Sequence, residues 1–121
     1  MLFKKPLLEK ILKGEKTQTR RPMERKPRIH VCRVHERVGV RAGYTKFVAY
    51  IVIKKRFQQR VGNISAEEAK KEGFLSIEEF KRAWAALYGW NPSQLVWVYE
   101  FELAKPDSSN KDKLSPPAAN P

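Results

Sequence analysis

The sequence is short of cysteine, of histidine and of long apolar runs, and each shortage excludes a class of protein. Cys32 is the single cysteine among 121 residues, so the chain cannot form the internal disulfides on which small secreted domains depend. No apolar run approaches the roughly 18 residues that a membrane-spanning helix needs, and the N-terminus lacks the apolar stretch of a signal peptide. We therefore expect a cytosolic protein that does not enter a membrane.

The cysteine and the two histidines do not make a convincing metal site. Cys32 and His35 have the spacing Cys-x-x-His, with His30 just before them, but this pattern is half of a zinc site at best. No second pair of Cys or His exists to complete it. We therefore expect no metal and no cofactor, and we interpret this segment as a strand whose polar side faces solvent or a ligand.

Basic residues are abundant and unevenly distributed. The chain has 25 Lys or Arg against 13 Asp or Glu, which gives a formal net charge of +12. Residues 1–60 carry a net charge of +14 and residues 61–121 a net charge of −2. A concentrated positive field attracts polyanions and is typical of nucleic-acid-binding proteins. The same charge is also compatible with a role in solubility alone.

The length fits one domain followed by a tail. Residues 1–104 contain the apolar patterns of a folded domain. From Lys105 onward, Leu114 is the single large apolar residue among Pro, Asp, Ser, Asn, Lys and Ala, and one such side chain cannot offset the entropy of ordering the segment. We predict a folded domain over residues 1–104 and a disordered polar tail over residues 105–121, and we expect a monomer.

Capping signals predict three helices. A short helix begins at Pro6 and ends before Gly14, in agreement with the preference for proline at helix starts and glycine just past helix ends. Ser65 and Ser76 each stand three residues before a glutamate, the spacing of a capping box, and Gly73 ends the first of these two helices. The apolar stripe of the last helix is assigned to the core and comprises Ile77, Phe80, Ala83, Trp84 and Leu87.

Apolar alternation predicts strands over residues 47–53 and 95–103, with weaker signals over residues 28–34 and 38–41. Strands and helices are interleaved without a repeated strand-helix-strand unit, which favours the α+β class over a doubly wound sheet. We expect a small β-barrel of about five to six strands with short flanking helices, because closure of the sheet protects its edges.

The segment that follows the first helix is typical of an anion-binding loop. It begins with the flexible Gly14 and offers two threonine hydroxyls, Thr17 and Thr19, beside the guanidinium groups of Arg20 and Arg21. Its backbone amides are expected to be free, and arginine binds phosphate in a two-pronged manner. Composition alone leaves a solvated basic loop equally open.

Aromatic side chains would supply the flat face on which a base stacks. Trp90 precedes Asn91-Pro92 in a loop and is the aromatic expected to be most accessible, although it can equally pack over the end of the barrel. Phe57 and Tyr88 are further candidates. The residues predicted to bind nucleotide or RNA are Gly14, Thr17, Arg20, Arg21, Arg25, Tyr44 and Trp90.

These residues carry a resemblance to the ASCH domain family. The pattern Gly14-x-Lys16-x-x-Thr19-x-Arg21 resembles the family signature Gly-x-Lys-x-x-(Glu or Thr)-x-Arg, at the expected place after an N-terminal helix. Residues 72–74 resemble the step between the two later helices of the family, and residues 96–101 its last strand. The likeness spans about residues 2–104. It implies a PUA-like fold and a role linked to RNA, and some small bacterial members are amidohydrolases that act on N4-acetylcytidine.

In those hydrolytic members a lysine and a threonine of the signature work with a later glutamate, so the resemblance implies Lys16, Thr19 and Glu72 as catalytic residues. Glu72 falls in the last turn of a predicted helix, where the helix dipole disfavours a carboxylate, so helix stability does not explain it. Two functions stay open: an amidohydrolase of N4-acylated cytidine, or an RNA-binding module without chemistry. A small ribonuclease is a third choice.

Overall fold

The structure is a computed structural model that describes residues 1–23, 31–43 and 45–105. Helices and strands alternate irregularly along these ranges, which confirms the α+β class. The predicted tail lies outside the described residues from residue 106 onward. In chain order the elements are α1 (Lys5–Leu12), β1 (Gln18–Pro22), β2 (Arg37–Val40), β3 (Ala49–Arg60), a 3₁₀ turn (Val61–Asn63), α2 (Ala66–Lys71), α3 (Ile77–Tyr88) and β4 (Leu95–Leu103).

The strands form one antiparallel sheet in the order β1-β4-β3-β2. At its centre, Tyr99 of β4 lies between Thr19 of β1 and Arg56 of β3. β1 and β2 are the two edges and do not pair with each other. Within the described ranges the sheet is therefore open and has four strands, and the prediction of a closed barrel of five to six strands is wrong.

One predicted strand is missing where the barrel would need it. Of the strand predicted over residues 28–34, residues 28–30 lie outside the described residues, and residues 31–34 form coil and the start of a turn. His35 follows with a φ of 73°, a left-handed conformation that interrupts an extended chain. The strand predicted over residues 38–41 corresponds to β2, and the one over residues 95–103 has the bounds of β4.

β3 begins two residues later than predicted and extends seven residues further, to Arg60. The three consecutive cations Lys54, Lys55 and Arg56 conceal this continuation, because charged residues are uncommon in strand patterns. All three side chains are exposed. The strand continues through them because β4 supplies backbone hydrogen-bond partners as far as Leu95.

A bulge in β3 lets the sheet bury side chains on both faces. Ile53 pairs with Phe101, whereas Lys55 pairs with Glu100, so the register shifts between them. Because side chains alternate along a strand, such a shift places the odd-numbered residues of β3 after the bulge on the opposite face from those before it. The front core, under α1, contains Phe3, Leu8, Ile11, Cys32, Val40, Ile51, Ile53, Tyr99 and Phe101; the back core, under α2 and α3, contains Val61, Ile64, Ala69, Phe80, Trp84, Val96 and Val98.

The helix ends follow the local sequence signals. The hydroxyls of Ser65 and Ser76 accept hydrogen bonds from the backbone N–H groups of Glu68 and Glu79, and so begin α2 and α3. In α3, Phe80 and Trp84 are buried as predicted, but Leu87 is exposed. None of the helices in the described residues is long and apolar enough to span a bilayer.

The front core makes a direct stability prediction. Ile53 is fully buried beside the bulge, so Ile53→Ala should lower the free energy of unfolding by about 2–5 kcal/mol, through lost apolar burial and the cavity left behind. Val48→Ala, at a side chain that is 57% exposed, is the control and should change it by less than about 0.5 kcal/mol. Urea unfolding followed by circular dichroism measures both, and similar values for the two variants would contradict the assigned core.

Candidate functional site

A cleft of about 1180 Å³ opens beside the β1 edge of the sheet, between the N-terminal segment and α3. The chain from Met1 to Leu7 forms one wall, and Leu87 and Tyr88 of α3 line the opposite side. Lys16, Thr19 and Glu72 all line this cleft. The structure therefore brings the three residues implied as catalytic to one place, although Glu72 is more than 50 residues from the other two in the sequence.

Two glycine turns deliver Lys16 and Glu72 to the cleft. Gly14 follows α1 with a φ of 79° and reverses the chain toward β1, and Gly73 follows α2 with a φ of 101°. Both values lie in the region that favours glycine. A side chain at Gly73 would also lie 3.1 Å from Leu7, so the close packing of α1 on this turn needs glycine. Glu72 is the C-cap residue of α2.

Lys16 is almost fully buried, at 2% exposure, and its ammonium group has three hydrogen-bond acceptors. Nζ donates to the backbone oxygen of Gln18 at 2.8 Å, to the backbone oxygen of Glu72 at 2.7 Å and to Oε1 of Glu72 at 3.0 Å. Burial lowers the pKa of Lys16 below its ordinary value of 10.5; the Glu72 carboxylate opposes this shift, and Arg21 and Arg20 add to it by repulsion.

Arg20 is the centre of a buried polar network on the back face, in which its guanidinium makes five hydrogen bonds. Its Nη1 donates to Oε2 of Glu72 at 2.8 Å, and its Nη2 donates to Oε2 of Glu68 at 2.9 Å. Gln18 accepts one further bond and Gln59 accepts two. A guanidinium has five N–H donors, so none is left for a phosphate. Arg20 therefore has no N–H group available for the phosphate contact that the sequence predicted.

Glu68 connects this network to the helix cap of α2. Its Oε1 accepts from the backbone N–H of Ser65 at 3.0 Å and its Oε2 from Arg20. Burial raises the pKa of Glu68, but the hydrogen bonds from Ser65 and Gln59 and the charge of Arg20 outweigh it, so the pKa lies below its ordinary value of 4.5. Glu68 is therefore held as a carboxylate at neutral pH.

Thr19 lies on the front face of β1 and is 1% exposed. Its Oγ1 accepts a hydrogen bond from Nη1 of Arg21 at 2.7 Å. The Arg21 guanidinium also donates to the backbone oxygen of Leu2 at 2.9 Å and lies 4.9 Å from the centre of the Phe3 ring. Arg21 therefore joins the N-terminal segment to the cleft wall beside the Thr19 hydroxyl.

The expected anion-binding loop with free amides is not what forms. Residues 18–22 are the edge strand β1, which pairs with β4 from Gln18 onward. In the preceding turn, the backbone N–H groups of residues 14–17 all donate to backbone oxygens of α1 or α2. Main-chain amides are satisfied by nearby carbonyls whenever they are available, so this turn offers no amides to an anion.

The other predicted ligand residues are dispersed. Gly14 is exposed and Thr17 is half-buried, while Arg25 and Tyr44 lie outside the described residues. Trp90 is half-buried against the back core, 5.2 Å from Nζ of Lys81. Cys32 is buried, and its backbone N–H donates to the Tyr99 hydroxyl. Among the residues described, no group of three His, Cys, Asp or Glu side chains could hold a metal ion.

Three members of the network, Gln18, Gln59 and Glu68, are not among the site residues predicted from the sequence. Gln18 is fully buried and donates from Nε2 to Oε2 of Glu100 at 2.9 Å. The signal in the sequence was the two-residue spacing of Gln18 and Arg20, because residues two apart in a strand share a face. Polar residues are mostly exposed in proteins, so the pattern alone favoured a loop.

These elements define a class: a small α+β protein with a four-stranded antiparallel sheet and, at one edge, a cleft that contains a buried lysine–glutamate pair. The fold is that of ASCH domains. An ASCH domain from Lactobacillus crispatus matches with a TM-score of 0.71 at 16% identity, covering 80% of this chain and 69% of that one. A DUF984 protein from Enterococcus faecalis matches with a TM-score of 0.63 at 21% identity over the same shares.

The ASCH protein of Zymomonas mobilis has a TM-score of 0.59 at 13% identity, covering 98% of this chain and 82% of that one. No protein-family model and no curated protein matches the sequence. At these identities the likeness concerns the fold, and the function has to be argued from the cleft.

The network makes a second stability prediction. Arg20→Met removes the cation and leaves two buried or partly buried carboxylates without this partner, so the free energy of unfolding should fall by about 3–5 kcal/mol. Arg82→Met, at an exposed position on α3, is the matched control and should change it by less than about 0.5 kcal/mol. Urea titration measures both, and a loss below about 1 kcal/mol for Arg20→Met would show that the network does not stabilise the fold.

Proposed function

We propose that this protein binds a nucleotide or RNA and hydrolyses the amide of an N4-acylated cytidine, with Lys16, Thr19 and Glu72 as catalytic residues. The observation that carries the proposal is that these three side chains line one cleft, with Nζ of Lys16 at 3.0 Å from Oε1 of Glu72. A close pair of titratable groups whose proton can move between them is what an acid-base mechanism requires.

The first step is loss of a proton from the Lys16 ammonium, which leaves a neutral amine beside Oε1 of Glu72. Burial favours this neutral amine, because it lowers the pKa of Lys16. Arg20 acts as a positioning residue, since its Nη1 holds the other Glu72 oxygen at 2.8 Å.

The second step is attack by Thr19. Its Oγ1 bonds to the acyl carbon of the substrate while the neutral Lys16 amine takes the hydroxyl proton. Arg21, whose Nη1 is 2.7 Å from Oγ1 of Thr19, stabilises the negative charge that develops on the carbonyl oxygen of the substrate. The bond between the acyl carbon and N4 then breaks, and the proton taken up by Lys16 passes by way of Oε1 of Glu72 to N4, which gives cytidine. Water hydrolyses the acyl-threonine, which releases the carboxylic acid and restores Thr19.

Binding without chemistry is the second candidate, and the burial of the cluster favours it. Lys16 already donates its three hydrogens, and Thr19 is 1% exposed. A substrate therefore has to displace contacts in the cleft before it reaches either group. In that alternative, the cluster only supports the fold, and RNA binds through the basic residues of the first half of the chain.

Substitution of the three residues tests the first candidate. Lys16→Met, Thr19→Val and Glu72→Gln should each lower kcat for conversion of N4-acetylcytidine to cytidine by at least about 100-fold, because each removes a proton carrier or the nucleophile. Chromatography measures the product, and circular dichroism verifies folding.

The matched controls are Lys13→Met, Thr45→Val and Glu67→Gln, all at exposed positions. They should hydrolyse the nucleoside at the rate of the unsubstituted protein. Absence of hydrolysis by the folded protein, or activity that survives in all three cleft variants, would reject the hydrolytic mechanism and favour the binding role.

The lowered pKa of Lys16 predicts the pH dependence of the reaction. The neutral amine is the reactive form, so kcat/KM should rise with pH along a limb whose midpoint lies below the ordinary lysine pKa of 10.5, and then level off. Initial rates across the alkaline range, corrected for hydroxide-catalysed hydrolysis, measure this limb. A midpoint at or above 10.5, or a rate independent of pH, would exclude Lys16 as the base.

A further inference from the structure

A second surface with the chemistry of a nucleic-acid site lies on the back face of the sheet at its β2 edge. On the back face of β2 and β3, Phe47 and Tyr50 are 48% and 40% exposed, and Arg37 and Arg41 accompany them. None of these four residues lines the cleft. We name this surface the β2-edge patch and define it as Arg37, Arg41, Phe47 and Tyr50.

The two rings are held in place by the strand beneath them. A Cβ atom on Gly39 would lie 2.5 Å from the Phe47 ring, so this ring packs directly on the β2 backbone. Tyr50 is opposite Gly39 in the sheet, and its ring centre is 5.9 Å from that of Phe47. The pair therefore forms a rigid aromatic surface whose exposed part does not belong to either hydrophobic core.

Each ring has an arginine beside it. The guanidinium carbon of Arg37 is 4.8 Å from the centre of the Tyr50 ring, and that of Arg41 is 5.3 Å from the centre of the Phe47 ring. These distances are within the range of cation–π contact. A guanidinium that stacks on a ring keeps its N–H donors in its own plane, and this geometry is how arginine binds phosphate while stacked.

The electrostatic surroundings favour a polyanion. The exposed Lys46 precedes Phe47 in the chain. Glu102 of β4 pairs with Val52 and is 3.6 Å from Nζ of Lys54, and Glu36, just before Arg37, accepts a hydrogen bond from the backbone N–H of Arg33. Exposed rings attract bases by stacking, and flanking cations attract the phosphates between them, which is the combination that single-stranded nucleic acid binding uses.

We propose that the β2-edge patch binds single-stranded RNA, with bases stacked on Phe47 and Tyr50 and phosphates on Arg37 and Arg41. This inference rests on the RNA-binding part of the proposed function and does not depend on hydrolysis in the cleft. The patch would hold a polynucleotide while the cleft, which contains none of the four patch residues, takes a single base.

Fluorescence anisotropy of the full chain with a labelled uridine dodecamer tests the patch. The double variant Phe47→Leu/Tyr50→Leu keeps the apolar bulk and removes the π faces. Stacking losses of this kind correspond to about 5- to 150-fold in Kd per base, so the double variant should bind at least about fivefold more weakly. Arg37→Gln and Arg41→Gln should each reduce the slope of log Kd against log salt by about 0.7.

Val48→Ala, at an exposed position between Phe47 and Tyr50 in the sequence, is the control and should bind RNA like the unsubstituted chain. The rate of N4-acetylcytidine hydrolysis should be the same in every patch variant as in the unsubstituted chain. The RNA-binding measurement therefore tests the patch independently of the hydrolysis proposed for the cleft. Equal Kd values for the double variant and the control would overturn the proposal. Absence of RNA binding would also overturn it. Self-association of the chain through the patch, measured by sedimentation in place of RNA binding, would do the same.

Discussion

The buried ion network around Arg20 is the interaction on which the rest of the structure depends. One guanidinium holds Glu72 and Glu68 of the α2 region, Gln59 of β3 and Gln18 of β1, so it joins three segments that are far apart in the sequence. Burying such charges is costly, and the cost is offset because all five donors are satisfied. The edge strand β1, with its polar sequence, is held in the sheet by this compensation.

The same network controls the chemistry proposed for the cleft. Glu72 is shared, since one oxygen accepts from Arg20 and the other from Lys16. Arg20 therefore fixes the orientation of the carboxylate, and burial lowers the Lys16 pKa. Stability and reactivity are coupled here, because the contacts that satisfy Lys16 in the folded protein are the contacts from which it must release a proton.

The positive charge of the first half of the chain serves two different purposes in the structure. Lys16 and Arg20 are buried and neutralised by acidic residues from the second half, so they contribute little to the external field. Arg37 and Lys46 are exposed at the other edge of the sheet, where positive charge can attract a polyanion. A net charge read from composition does not separate these roles, because the distinction depends on which carboxylates fold next to which cations.

Local signals in the sequence by themselves determined the three helices and β4. The helix caps at Ser65 and Ser76 and the apolar alternation over residues 95–103 depend only on residues close by in the chain. The motif from Gly14 to Arg21 likewise predicted the region of the cleft. Only the tertiary structure decided that residues 18–22 form a strand, that β3 runs to Arg60 and that the sheet stays open. The physical reason is that a buried arginine or a bulged strand is stable only with partners some 40 to 80 residues away, and no local pattern specifies them.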